Sequence, residues 1–311
     1  PWDYAANAGI VKKWADKYGI EIDVVQINDY VESINQYTAG QFDGCTMTNM
    51  DALTIPAAGG VDSTALILGD FSNGNDGIVL KGEGKTLKDI EGQNVNLVEL
   101  SVSHYLLARA LDTIGLSERD VRVVNTSDAD LVAVFNADDV TSTVTWNPLL
   151  SEVAAMPNTS KVFDSSQIPG EIIDMLVVNT DTLKDNPDFG KALTGAWYEI
   201  MARMAAKDTD ALTFMAKASG TDLPGYEAQL AATNMFYEAK DAVAFAQSKQ
   251  LPETMKYVSE FSFEHGLLGE GAMDAGFIGI AYPDGTVVGN SANVKLRFDS
   301  SFMSMAADGS L

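Results

Sequence analysis

The feature that most restricts this chain is a repeated exchange of hydrophobic period, helical spacing giving way to short apolar or alternating runs over roughly its first 180 residues. Ile10, Val11, Trp14 and Ala15 predict an amphipathic helix over Ala5 to Tyr18, stopped by Gly19, and Ile20 to Ile27 alternates as a strand. Asp29 is placed to cap a helix carrying Val31, Ile34 and Tyr37 and ending at Gly40, and "CTMT" follows as a short buried strand. Asn49 to Ala58 predicts a helix, and "STALILGDF", "GIVLKG" and "QNVNLVE" predict three strands. From Ser101 the pattern restarts: helix His104 to Ile114, strand Val121 to Val124, helix Ala129 to Asn136, strand Thr141 to Thr145. Alternation of this kind specifies the α/β class, with parallel sheets and crossover helices.

After a strand in "EIIDMLVVNT", Ala- and Met-rich amphipathic stretches predict helices at 186–206, 211–218, 225–233 and 239–247. The tail carries a turn in "YPDGT" and a strand in "VKLRF". Two similar α/β units joined by short strands follow from this order. The first lobe is expected from residues 1–77 and 180–311, and the second from 78–179, with a cleft between them.

Composition removes several functions. Against 44 Asp plus Glu stand 20 Lys plus Arg, a net charge of −24 that repels nucleic acid and anionic lipid. No apolar run reaches the roughly 18 to 20 residues that cross a bilayer, and no basic-then-apolar leader precedes Pro1. Cys45 is alone, so neither an intrachain disulfide nor a cysteine-cluster metal site is expected. The nucleophile-elbow, P-loop, dinucleotide-binding and H-E-x-x-H motifs are all missing, and His104 and His265 lie far apart in sequence. No cofactor, metal or catalytic group is expected.

The polar signals sit in five loops read as following strands, where open α/β sheets bind ligands. These are "PWDYA", "MTNMDAL", "GDFSNGNDG", "VELSVSHY" and "VTWNPLL". Thr48, Asn49, Ser101 and Ser103 are equally readable as helix caps, Asn73 to Gly77 as a turn, and Trp146 as a core aromatic before a helix-starting Pro148.

The segments "VNLVELSVSHYLLARALDTIGLSERDVRVV" and "TSTVTWNPLL" resemble the second lobe of solute-binding proteins of the nitrate, sulfonate and taurine group of ABC importers. "AGQFDGCTMTNMDALTIPAAGGVD" is similar to that group's first-lobe ligand loop. "PWDYAANAGIVKKWADKYGI", "DFSNGNDGIVLKG" and "FSFEHGLLGEGA" resemble the branch encoded beside urea carboxylase, whose solutes are small and nitrogen-rich, urea or guanidine. The resemblance implies a two-lobed periplasmic-binding-protein fold of type II with a ligand cleft between lobes. It implies a periplasmic monomer, its signal peptide removed, that delivers solute to an inner-membrane permease and its ATPase. The chain departs from the group twice: the first strand of the family would precede "PWDY", and Trp146-Asn147-Pro148 stands where many members have aromatic-Asp-Pro.

Charge then selects the ligand. A sulfonate or nitrate site calls for donors and usually an Arg or Lys, yet these loops hold none and carry Asp3, Asp51, Asp70, Asp76 and Glu99 instead. Guanidinium would be held edge-on by Asp51, Asp70 or Asp76 with Thr48 and Asn49, and by Asp174 from the returning strand. Its faces would stack on Trp2, Tyr30 or Trp146. Ser101, Ser103, His104 and Asn147 complete the expected site. Taurine, sulfonate or nitrate binding is the alternative, as is a thiamine-pyrimidine-precursor binder or synthase of the same fold. Asp51, in the first turn of its helix, is also readable as a partner of the helix dipole, worth about 0.3 to 1 kcal/mol.

Overall fold

The helix expected over Ala5 to Tyr18 forms as two, α1 (Trp2–Asn7) and α2 (Ile10–Tyr18). Gly9 separates them at φ 73°, a left-handed conformation that a side chain disfavours. In the computed structural model, which describes residues 1–311, positions 20–27 form no strand. Ile20, Ile22 and Val24 are half-buried in alternation, but no neighbour supplies a ladder and Val25 stays 57% exposed. Asp29 caps α3 (Tyr30–Thr38) through the Glu32 N–H, as its position predicts.

Contacts group the chain into two units: residues 1–70, 173–227 and 235–311 form unit 1, and residues 71–172 and 228–234 form unit 2. The crossings therefore fall at 70/71 and 172/173, with a short excursion at 228–234, rather than at 77/78 and 179/180.

Unit 1 is built on β1 (Gly44–Thr48), β2 (Ser63–Ser72), β8 (Ile173–Asn179), β10 (Gly279–Ala281), β11 (Val287–Val288) and β12 (Val294–Phe298), ordered β1-β8-β2-β12-β10-β11. The sheet is mixed, not parallel: β1 and β8 run antiparallel, whereas β12 is parallel to both β2 and β10. β8, expected in the second lobe, belongs here because it pairs along all of β1, from Gly44 opposite Val178 to Thr48 opposite Asp174. The "YPDGT" turn joins β10 to β11.

Around this sheet lie α4 (Asn49–Ala52, continued by a π-helical turn to Ala57), α8 (Thr180–Asp185), α9 (Pro187–Ala205), α10 (Thr209–Ala218), α12 (Ala239–Ala246), α13 (Gln250–Glu264) and α14 (Ser301–Asp308). α2 packs along α9, where Trp14 donates its indole N–H to Glu199 at 2.8 Å. α11 (Leu223–Ala231) and β9 (Thr233–Met235) carry the chain through residues 228–234.

Unit 2 has β3 (Asp76–Lys81), β4 (Asn94–Leu97), β5 (Arg122–Asn125), β6 (Ser142–Trp146) and β7 (Thr159–Asp164) in the order β5-β4-β6-β3-β7. It too is mixed, with β4 parallel to β5 and β6 and β3 antiparallel to β6 and β7. α6 (Asp128–Phe135) and α7 (Leu149–Ala154) close a core of Val79, Leu131, Phe135, Val140, Leu150 and Val153. α5 (Val102–Thr113) packs on β3 and β6 through a buried face that includes Leu106 and Leu107.

Candidate functional site

Unit 1 gathers three of the expected carboxylates at one end of its sheet. Asp174, second in β8, lies opposite Thr48, the last residue of β1, and Asp51 lies one helical turn beyond Thr48. Asp70 comes from β2, the other neighbour of β8. The side chains of Asp70 and Asp174 are hydrogen-bonded to each other, and the charge of Asp174 acts on Asp51.

Asp51 is 2% exposed and Asp70 8% exposed, while Asp174 is half-buried. Tyr30 donates its hydroxyl to Asp51 Oδ2 at 2.7 Å, and the Thr48 hydroxyl donates to the same oxygen at 2.8 Å. Thr48 N–H in turn donates to Tyr30 Oη at 2.9 Å, and Asp51 N–H to Thr48 Oγ1 at 3.3 Å, the capping bond that starts α4. Burial pushes the Asp51 carboxyl up to about 6 against the pull of these two donors, with Asp174 adding to the rise. Burial likewise raises Asp174, which the hydrogen bond from Asp70 moderates. No Lys, Arg or His contributes to either shift. Carboxylates withdrawn from water without a cation carry a desolvation cost that a cationic ligand relieves.

An aromatic wall stands beside the carboxylates. Gly69 precedes Asp70, and a Cβ there would lie 3.0 Å from Trp197 Cζ2 and 3.4 Å from the Asp174 carbonyl oxygen, so only glycine lets α9 press this ring onto β2 and β8. Trp2 packs on Trp197 with ring centroids 5.5 Å apart, and neither indole N–H has a hydrogen-bond partner. Trp2, expected to stack on the ligand, thus has Trp197 as an aromatic neighbour within unit 1. Tyr226 is raised first by burial, then by Tyr237 and by Asp70, and Tyr237 first by burial and then by Asp70, which places both within the field of Asp70. Trp197 and Tyr226 were not foreseen, because in "LTGAWYEI" and "LPGYEAQ" they read as helix core.

Several of the remaining expected residues also make structural bonds. Asn49 accepts the Ile173 N–H with Oδ1 and reaches Met255 Sδ with Nδ2, bracing the start of β8 against α13. Asp3 is half-buried in the first turn of α1.

In unit 2, Asp76 is locked to Ser72, with the Ser165 hydroxyl accepting from its N–H. Ser101 caps α5 by accepting from Ser103 N–H. His104 accepts the Leu100 N–H with Nδ1, which leaves Nε2 to bond Glu118. Asn147 accepts from the N–H and hydroxyl of Ser151, starting α7. Trp146 is half-buried opposite Asp76. Two hydroxyls of unit 2, on Ser103 and Thr145, are fully buried with no partner.

Concavity alone does not mark the site. A groove of about 660 Å³ lies toward the Asp62 end of β2, lined in part by Asp62, Thr64, Thr180, Tyr282 and Arg297. There Asp62 already has its cation, with Arg297 bonding both carboxylate oxygens at 2.8 Å.

The architecture is the periplasmic-binding-protein fold. The alkanesulfonate-binding protein SsuA of Xanthomonas axonopodis pv. citri, bound to MOPS, superposes with a TM-score of 0.72 at 17% identity, over 88% of this chain and 92% of that one. The chain belongs to the NMT1/THI5-like family, whose profile matches residues 4–211. It is also 23% identical over 186 residues to the taurine-binding periplasmic protein of Escherichia coli K12, covering 56% of this chain and 57% of that protein, so the match spans little more than half of the relative's length. An enzyme shares the fold as well: the desulfurization enzyme DSZB gives a TM-score of 0.59 at 13% identity, over 99% and 95% of the two chains. No helix of the chain is long and apolar enough to cross a membrane.

Proposed function

We propose that this chain is the extracytoplasmic solute-binding component of an ABC importer, handing its ligand to a membrane permease and its ATPase and catalysing no reaction. The ligand belongs to the taurine and sulfonate class and is recognised through a cationic nitrogen at Asp51, Asp70 and Asp174. The observation that carries this reading is the meeting of three carboxylates with no cationic side chain contributing at Asp51 or Asp174. Similarity to taurine- and alkanesulfonate-binding proteins supports the solute class, and taurine itself bears an ammonium group.

A second reading takes guanidinium, the solute expected of the urea-carboxylase branch, as the ligand. The absence of a cationic contribution at the two shifted carboxylates favours it, since a sulfonate end would need donors from elsewhere. The two are separated by a thermal-shift screen of taurine, an alkanesulfonate, nitrate, guanidinium and urea. Stabilisation by taurine alone supports the first reading, and by guanidinium alone the second. Stabilisation by nitrate or the plain sulfonate above both removes the role given to the carboxylates. Turnover of a bound solute would overturn the non-catalytic assignment.

A further inference from the structure

We propose that the indole N–H groups of Trp2 and Trp197 form an acceptor subsite beside the carboxylates, holding the anionic oxygens of the ligand while its cationic nitrogen lies on the carboxylates. This names what reads the other end of an amino-sulfonate and rests on the function proposed above.

Both indole nitrogens are buried, and neither has an acceptor. An indole nitrogen can only donate, so each is left with its single hydrogen-bonding capacity unused. The two rings do not satisfy each other. Their centroids are 5.5 Å apart and their planes differ by 32°. An N–H lies in the plane of its own ring, and to point into the face of another ring it needs planes nearer perpendicular. Buried donors of a native fold are nearly always paired, and one left over calls for a partner. Here two are left over on neighbouring rings.

Their place in the fold selects that partner. The Trp197 ring edge and the Asp174 carbonyl oxygen both lie within 3.4 Å of the point that a Gly69 Cβ would occupy. The ring therefore adjoins β8 at Asp174 and β2 one residue before Asp70. In taurine two methylene groups separate ammonium from sulfonate, so an ammonium on these carboxylates brings the sulfonate oxygens into the same neighbourhood. Neutral donors suit that arrangement. A Lys or Arg supplied for the sulfonate would pair with the carboxylates instead, as Arg297 does with Asp62 through two bonds of 2.8 Å. Indole N–H groups donate to the anionic oxygens and leave the carboxylates for the ammonium. Trp2, half-buried on the six-residue α1, is the member of the pair that moves aside to admit them.

The test is calorimetric titration of the parent, Trp2→Phe and Trp197→Phe with taurine and with guanidinium chloride, phenylalanine keeping an aromatic ring while removing the N–H. Each variant should weaken taurine by about tenfold or more, the loss of a hydrogen bond to a charged acceptor. Guanidinium has no acceptor oxygen and should change by less than about twofold. Equal weakening of both probes assigns the rings to packing and overturns the subsite. Taurine binding that neither variant alters also overturns it, and the cation reading then stands. Guanidinium binding to the parent without taurine binding removes the subsite and leaves the second reading, whereas binding of neither removes the subsite and the cation reading together. If Trp197→Phe does not fold, nuclear magnetic resonance of the parent decides. Of the four tryptophan indole N–H signals, two, one of them missing in Trp2→Phe, should move downfield with taurine and stay in place with guanidinium. Indole signals unmoved at saturating taurine contradict the proposal.

Discussion

Asp62 and Asp70 stand at opposite ends of one strand, β2, and their surroundings differ in kind. At the first end partial burial raises the Asp62 carboxyl, but the bidentate Arg297 guanidinium and the Thr180 hydroxyl outweigh it and hold Asp62 below the ordinary range. At the other end Asp70 meets Asp174, and burial leaves Asp174 and Asp51 raised with no cation contributing to either. A carboxylate whose counter-charge is part of the chain completes the fold; under the proposed function, Asp51 and Asp174, raised with no cation contributing to either, receive theirs from the ligand.

The largest test of this contrast is ligand affinity. Asp174→Asn removes a charge that the account places on the ligand's cation and should cost about 2 to 5 kcal/mol, thirtyfold or more in Kd by calorimetry. Asp62→Asn should leave Kd unchanged.

Stability against pH comes next. A carboxyl raised to about 6 in the folded protein binds its proton more tightly there than in the unfolded chain, where the value is near 3.8. The strain of keeping Asp51 ionised is therefore present above about pH 6 and is relieved as pH falls from about 6 towards 3.8. Asp51→Asn should raise the stability of the ligand-free protein by about 1 to 3 kcal/mol at pH 7.5, with the gain vanishing near pH 4, read by urea denaturation. The same variant should bind ligand poorly.

Thr48→Ala removes both the cap of α4 and a donor to Asp51, and should cost about 0.5 to 2 kcal/mol in the same denaturation experiment. The smallest effect belongs to the other end of β2. The Asp62–Arg297 pair is about one-third exposed on each side, so Asp62→Asn should cost no more than about 1 kcal/mol, less at high salt.

Much of this was legible in sequence. The αβ alternation, the capping role of Asp29 and the placing of Thr48, Asp51 and Asp70 at strand ends came from local chemistry, which needs no knowledge of distant partners. What escaped depends on partners. Residues 20–27 alternate as a strand should, yet no edge is there to receive them. β8 reads alone as a buried strand, and only its pairing with β1 assigns it to unit 1 and brings Asp174 to Asp51. α13 was missed because Pro252 and a run of charged and aromatic residues obscure its apolar face of Leu251, Met255 and Val258. The packing of Trp197 beside the carboxylates was invisible because a buried tryptophan in an Ala-rich helix carries the same pattern whatever it faces.

The central claim is that unit 1 binds a cationic nitrogen through Asp51, Asp70 and Asp174. Calorimetry with taurine, guanidinium and isethionate, in which a hydroxyl replaces the ammonium of taurine, tests it most directly. The account predicts that taurine or guanidinium binds and that isethionate binds at least about thirtyfold more weakly, the cost of leaving the buried carboxylates unpaired. Isethionate binding as tightly as taurine and more tightly than guanidinium would contradict it.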